Sequence, residues 1–583
     1  MSFPSSQHPF GPKWMATGVS KGIAIGAPLI LHPPREVDAR RPYQGAAPEA
    51  ARFREALRLV ESDIGFLIEK TLREVGSEEA AIFEAHLMMI QDEEIRAPIF
   101  NQIETEGLIP ELAIRNAFEV QIGVFEAADS DYLRERALDL RDLERQLQAA
   151  LHPESRPMLR FESDGILVAE DLTPSQTLLL DRTRIKGIIT EKGGETSHSA
   201  IIARTLGIPA VTGIQNAIES LKAMKCIAID GREGSVFEVE SKHEREYFEA
   251  RMLEEQYDLK SLQAFIGKPS VTHDQHSIRL MGNIGGIVDA KAALESDNEG
   301  IGLFRTEFLF MGRKSAPTLA EQKKAYSEIL NFFPKQEVVI RTLDIGGDKP
   351  IEYIRIAKEE NPFLGVRAIR YCMKDLPLFT TQIKAMLLAN EHGNLSIMLP
   401  MVSRASEVQE IRTLIDSCHE DLKKDSEYRS MPYKVGAMVE IPSLIFEMKE
   451  LSRSASFVSV GTNDLMQYSF AVDRMNPELR TLYTPYHLGF LRMMNLLASS
   501  AIDAGLSLGI CGELGGQDDL LPLWVAMGFD KLSMTPSEVL PKRRLLSKLT
   551  LQSCQGLLNE VLKANHEQEI KMILSTFQRG LAQ

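Results

Sequence analysis

Cysteine is scarce in this chain: five residues in 583, scattered, odd in number and without paired spacing. That excludes a disulfide framework and a paired-cysteine metal cluster, and it suits a reducing compartment. No apolar run is long enough to span a bilayer, and the first residues, "MSFPSSQHPFGPKW", lack a charged segment followed by an apolar one. The expected location is the cytosol, with no membrane attachment. Basic charge is in deficit, with 66 Lys and Arg against 82 Asp and Glu for a net charge of −16. That balance disfavours nucleic acid and anionic membrane as partners, so an anionic substrate has to be caught by a local basic cluster.

What is present is a length and composition suited to two to four ordinary globular domains. After a β-like start, "GIAIGAPLIL", a turn-rich stretch leads into about a hundred residues with almost no glycine. There Phe53, Leu57, Val60, Ile64 and Leu67 recur at steps of four and three, as do Ala80, Phe83, Leu87 and Ile90, then Ile114, Phe118, Ile122 and Phe125. With a last helix around "YLRERALDLRDLERQLQAAL", the pattern predicts about four amphipathic helices, a helical subdomain over 42–155 inserted into an α/β domain made of 14–41 and 156–240. Residues 241–269, charged and almost free of Gly and Pro, predict a linker helix.

From 270 to 583 the rhythm becomes a short apolar run, a polar or glycine stop, then a helical segment. The runs "SIRLMGNIG", "GIGLFRTEF", "VVIRTLDIGGDK", "SIMLPMVS", "VGAMVEIPS", "FVSVGTNDL", "SLGICGELGG" and "KLSMTPSE" predict a (β/α)8 TIM barrel, whose chemistry belongs at the C-terminal strand ends. The fold class expected for the whole chain is thus multidomain α/β with an inserted helical bundle and a C-terminal barrel. Arg305, Arg341 and Arg474 fall at strand ends or the loops beyond them, and converging arginines suit a compact polyanion. Glu440 and Asp464 end successive strands, which allows either a Mg²⁺ site or two helix caps. Cys511 in the same layer is either a small buried residue or a proton donor.

Upstream, "GGETSHSAIIAR" sets His198 behind two glycines and among hydroxyls where a helix begins. Such a backbone favours an anion, and a neutral imidazole beside it can attack phosphorus; the alternative is a polar residue in a first helical turn. The stretch closely resembles the phosphohistidine motif of the phosphoenolpyruvate-utilising enzymes. "GIGLFRTEFLF", "IRTLDIGGDKP", "NPFLGVRAIR", "MVEIP", "SVGTNDLMQYSFAVDR" and "CGELGG" look like that family's barrel domain. The helical insert, with "AAIFEAHLMMIQDEE", resembles the subdomain with which the branch serving the bacterial phosphotransferase system docks its phosphocarrier protein HPr.

The resemblance implies roles. His198 carries the phosphoryl group from phosphoenolpyruvate to HPr. Arg305, Arg341 and Arg474 hold the substrate, with Arg367, Asn463 and Asp464 assisting; Glu440 and Asp464 bind Mg²⁺; Cys511 protonates the enolate, releasing pyruvate. Glu84 and His86, near Asp92, Glu93 and Glu94, form an edge of the carrier-docking site. A homodimer through the barrel and a swivelling linker are also implied. Two alternatives stand beside this: a nitrogen-branch paralogue lacking its sensory domain, and a regulatory binding protein that kept the fold without catalysis. Glu195 departs from the basic residue common in the motif's variable slot.

Overall fold

The computed structural model describes residues 9–582 except 32–40, 75–76, 127–130, 153–162, 173–175, 177–183, 194–199, 201–202, 205–206, 312, 314, 347–350, 352, 355, 358, 475, 477–478 and 480. The chain divides into two compact units, 1–259 and 260–583. None of the described helices is long and apolar enough to cross a membrane.

The first unit is built on a mixed sheet in the order β1-β8-β7-β3-β4-β5-β6-β2. Its strands are β1 (Trp14–Met15), β2 (Thr17–Ser20), β3 (Ile23–Leu31), β4 (Gly165–Ala169), β5 (Ile185–Thr190), β6 (Ala210–Thr212), β7 (Ile227–Asp230) and β8 (Ser235–Glu238). Consecutive strands β3 and β4 pair directly and in parallel, Ala27 with Gly165 through Leu31 with Ala169. The backbones meet closely where β4 begins: a Cβ on Gly165 would lie 2.3 Å from the Ala27 carbonyl oxygen, so glycine is required there. Between these paired strands the chain runs out through α1 (Ala46–Glu74), α2 (Ser77–Gln91), α3 (Glu93–Glu104), α4 (Pro110–Glu126) and α5 (Asp131–Leu151) and returns.

The apolar periods explain four of these helices. Phe53, Val60, Ile64, Phe83, Ile90, Ile114, Phe118 and Ile122 all enter one buried cluster. The fifth, α3, corrects the count of four. Its period is interrupted by Pro98 inside the helix, and its start is marked by Asp92, whose carboxylate accepts from the Glu94 N–H at 2.9 Å. Asp92, Glu93 and Glu94 therefore form a helix cap and an acidic first turn, which favours the positive end of the helix dipole. At the other end of the bundle an ionic clasp joins chain entry to chain exit. Buried Glu49 and Glu111 share Arg52 at 3.0 and 2.8 Å, and Arg52 also donates to the Leu151 carbonyl at 3.4 Å, while His152 lies 3.2 Å from Glu111. The first unit ends in α6 (Lys242–Leu262), which continues into the second as a 3₁₀ turn, Gln263–Phe265.

The second unit is a closed parallel barrel, β10-β11-β12-β13-β14-β15-β16-β9. The strands are β9 (Arg279–Ile284), β10 (Ile301–Arg305), β11 (Val338–Arg341), β12 (Leu395–Leu399), β13 (Lys434–Val439), β14 (Phe457–Val460), β15 (Ser507–Ile510) and β16 (Lys531–Met534), one for each apolar run in the sequence. β16 pairs with β9 and closes the ring, so no edge strand remains in the barrel. A layer of Leu303, Val339, Met398, Met438, Phe457 and Cys511 packs inside it.

Candidate active site

Arg305 and Arg341 are the last residues of β10 and β11 and lie side by side in the register of the two strands. Arg341 is buried between two acids: one guanidinium nitrogen is 2.6 Å from Glu307 and another 3.0 Å from Asp344. Asp344 reaches on to Arg367 at 3.1 Å, Arg367 to Asp464 at 3.5 Å, and Asp464 to Arg474 at 3.8 Å. The result is a chain of alternating charge across the barrel mouth. Burial works against the Arg341 charge, but Glu307, Asp344 and Glu440 outweigh it and hold its pKa above the ordinary value. Arg367 is held charged in the same way, by Asp344, Asp464 and Glu440 against its burial.

Glu440 follows β13 directly and is buried. One carboxylate oxygen accepts from the Met401 N–H at 2.8 Å, and Gly461 leaves the room its side chain fills, since a Cβ there would lie 2.6 Å from the Glu440 Cγ. Met401 presents that amide from a left-handed backbone (φ 56°), and Ala368, next to Arg367, is likewise left-handed at φ 52°. Non-glycine residues held in that region mark strain sustained by the surroundings, and both positions adjoin this charge cluster. Burial first, then the neighbouring Asp464 and Asp344 carboxylates, push Glu440 up to about 8. Asp464 has one buried oxygen with no hydrogen-bond partner. Two adjacent carboxyls, one protonated and one with an oxygen to spare, are a donor set that a divalent cation would relieve. A pair of carboxyls is the donor set suited to an ion that takes one or two carboxylates and completes its shell from ligand and water oxygens, as Mg²⁺ does.

Cys511 follows β15 and is buried, its thiol donating to the Val460 carbonyl at 3.5 Å. Burial pushes the thiol up to about 11, so it is protonated at neutral pH. Asn463, second residue of α7 (Thr462–Phe470), is half-exposed, and its carbonyl accepts from Tyr483 at 2.9 Å. One turn beyond Asp464 on α7, Tyr468 donates to the Phe363 carbonyl at 2.5 Å and stands 3.5 Å from Arg367. Sequence reasoning assigned Tyr468 no part; its spacing of four from Asp464 was the available signal.

The barrel mouth thus brings together Arg305, Arg341, Arg367, Asp464, Arg474, Glu440 and Cys511. His198 and Glu195 lie outside the described residues. In the helical bundle the expected pair separates. Glu84 is exposed on α2, one turn from exposed Met88, but His86 is buried, correcting its place on a docking edge. Its ring nitrogens lie 3.2 Å from Asp139 and 4.0 Å from Asp142, and it meets Phe83 edge-on. The physical reason is the helical period: Phe83, His86 and Ile90 share one face. Replacing His86 by alanine is expected to leave buried carboxylates without their neighbour and to lower the stability of the bundle by about 1–3 kcal/mol, read from its unfolding midpoint.

The family model described as PEP-utilising enzyme, PEP-binding domain, matches residues 260–551; those for the same enzymes' N-terminal and mobile domains match 15–136 and 161–234. A phosphoenolpyruvate-protein phosphotransferase of Bacillus subtilis is 37% identical over 95% of this chain and 97% of its own length. Proteins of the same name from Priestia megaterium (36%, 96% of this chain and 98% of that one) and Listeria monocytogenes (34%, 96% and 98%) are similar over the same extent.

Proposed function

The chain belongs to the PEP-utilising enzymes, within the phosphoenolpyruvate-protein phosphotransferases, and from that premise we propose how its residues move the phosphoryl group of phosphoenolpyruvate to a carrier protein. His198 is the relay. Its imidazole nitrogen attacks phosphorus, forming an N–P bond as the bond to the enolate oxygen breaks. Arg305, Arg341 and Arg474 hold the phosphate and carboxylate, assisted by Arg367 and Asn463; the alternating charge at the barrel mouth is the observation that carries this reading. Charge neutralisation and positioning are what such a transfer needs most. Glu440 and Asp464 would hold Mg²⁺, which when bound supplies positive charge to the substrate oxygens. Cys511, protonated at neutral pH, gives its proton to the methylene carbon of the enolate, and pyruvate leaves. The phosphoryl group then passes from His198 to a histidine of HPr. The barrel is proposed to carry a homodimer interface, which sedimentation tests.

The reading is tested with phosphoenolpyruvate labelled in its phosphoryl group. Acid-labile label is expected on the chain in the presence of Mg²⁺ and should be chased onto HPr; no label on the wild-type chain would sink the proposal. Running HPr beside a nitrogen-branch carrier assigns the partner.

Two further outcomes follow. Bringing a cation to Glu440 displaces a proton while the pH is below about 8, so apparent Mg²⁺ affinity should rise with pH and level off above that value. For the metal-free fold the sign is the reverse: Glu440 titrates above the ordinary carboxyl range, so its contribution to stability is complete below that range and is lost as pH climbs to about 8. Calorimetry in buffers of different ionisation enthalpy should show a proton released on Mg²⁺ binding at pH 7, absent in Glu440→Gln. Glu84→Lys, on the exposed face of α2, should raise the KM for HPr about tenfold or less, a rim-charge effect, and leave labelling by phosphoenolpyruvate unchanged.

A further inference from the structure

Beneath the arginines lies a buried polar network for which the phosphoryl chemistry has no use. It centres on Gln382, fully buried among the apolar residues of Leu376–Ala389. The side-chain oxygen accepts from the Leu343 N–H at 3.0 Å. The amide nitrogen donates to the Thr306 and Tyr326 hydroxyls, both at 3.2 Å. Thr306 in turn donates to the Arg341 carbonyl at 2.9 Å, and Tyr326 to Gln322 at 3.1 Å. Gln322 closes the network on the Pro317 carbonyl at 2.9 Å.

The direction of every bond is determined. A carboxamide offers two donors and an acceptor in one plane, and here all three are taken. The Leu343 N–H demands an acceptor, so the amide nitrogen must face the hydroxyls, and each hydroxyl accepts from it and passes its own proton onward. Flipping the amide would set its N–H against the Leu343 N–H and its oxygen against hydroxyls whose protons are already committed elsewhere.

What the network joins is the substrate cradle. Thr306 separates Arg305 from Glu307; Leu343 adjoins Asp344; the Arg341 carbonyl is the third attachment. The β10–β11 ladder pairs Phe304 with Ile340 and Arg305 with Arg341 and runs no further. Thr306 and Leu343 lie just beyond it, and there Gln382 ties both chain segments to one helix.

We propose that Gln382 is a positioning residue for phosphoenolpyruvate: its carboxamide holds the segments that leave β10 and β11, and through Thr306 and Leu343 it steadies the seating of Arg305 and Arg341 with their acidic partners. This rests on the reading that those arginines hold the substrate. Gln382 touches no reacting atom, so its effect falls on binding geometry in the barrel and not on transfer between His198 and HPr.

The test uses the full chain with Gln382→Met, similar in length and unable to make these bonds, and Gln382→Glu. For the methionine variant the KM for phosphoenolpyruvate should rise at least tenfold, while His198 labelling by phosphorylated HPr stays at the wild-type rate. The glutamate variant should add a titration of its own: as a neutral acid it accepts from Leu343 and donates one bond, so the ratio of its KM to that of wild type at the same pH should fall as pH is lowered. An unchanged KM in Gln382→Met, a loss of labelling from phosphorylated HPr equal to the loss from phosphoenolpyruvate, or a KM ratio for Gln382→Glu that stays high at every pH would each overturn the assignment. Failure of the functional reading is distinguishable, because the wild-type chain would then take no label from phosphoenolpyruvate at all.

Discussion

His198→Ala is expected to take no label from phosphoenolpyruvate and none from phosphorylated HPr, a loss of about 10⁴-fold or more in both directions, while Mg²⁺-dependent binding of phosphoenolpyruvate by calorimetry is kept. The combination follows from the division of the chain. His198 belongs to the unit of residues 1–259, and every other proposed contact to the substrate belongs to 260–583. Alanine removes the only nitrogen the mechanism uses as nucleophile, and losses of that size are what removal of a nucleophile produces. It takes nothing from the arginine and carboxylate chain of the barrel. A variant that kept acid-labile label would place the phosphoryl group on another residue and defeat the relay.

Arg341→Met is the complementary case. Labelling by phosphoenolpyruvate should fall by about 10³-fold or more, whereas labelling by phosphorylated HPr should persist, since in the proposed relay that half-reaction needs no substrate held in the barrel. The same substitution takes from buried Glu307 and Asp344 the guanidinium they share, so the barrel should lose about 3–5 kcal/mol in denaturant unfolding. The two effects are separable: adding Glu307→Gln should recover part of the stability and none of the labelling. Arg341→Lys is no conservative rescue, because an ammonium cannot present the planar fork that bridges two carboxylates. Equal loss of both labelling reactions would show that the arginine serves the fold alone.

The barrel was legible because its period is forced by geometry: each short apolar run is a strand buried on both faces, and most are followed by a polar or glycine stop. Arg305, Arg341, Glu440 and Cys511 could be placed at strand ends on that ground, whereas Asp464, expected to end a strand, lies in the first turn of the helix after β14. Arg367 could not, since it lies in a long connection after β11 with no periodic neighbour; it entered through resemblance. Gln382 was invisible for a different reason. A single glutamine in an apolar helix carries no local sign of whether it faces solvent or a satisfied network, and only the threonine and tyrosine brought to it by the fold decide. For α3, Pro98 broke the repeat, and the acidic residues that begin the helix read equally well as a binding edge. His86 was legible, in its spacing from Phe83 and Ile90, but its polarity pulled the reading outward.

The ionic clasp at the base of the helical bundle bears on how the chain finds its fold. Strands β3 and β4 are hydrogen-bonded neighbours, yet the whole bundle separates them in sequence. Bringing two strands together across a flexible segment of that length would cost roughly 3 kcal/mol more than across a tight turn. A bundle that has already folded, with Arg52 holding Glu49 near its entry to Glu111 and the Leu151 carbonyl near its exit, removes most of that penalty in advance. Its ends then behave as the ends of a short loop. The order this sets is bundle first and sheet second, and slowing the clasp, as with Arg52→Met, should delay strand pairing even though no strand residue has changed.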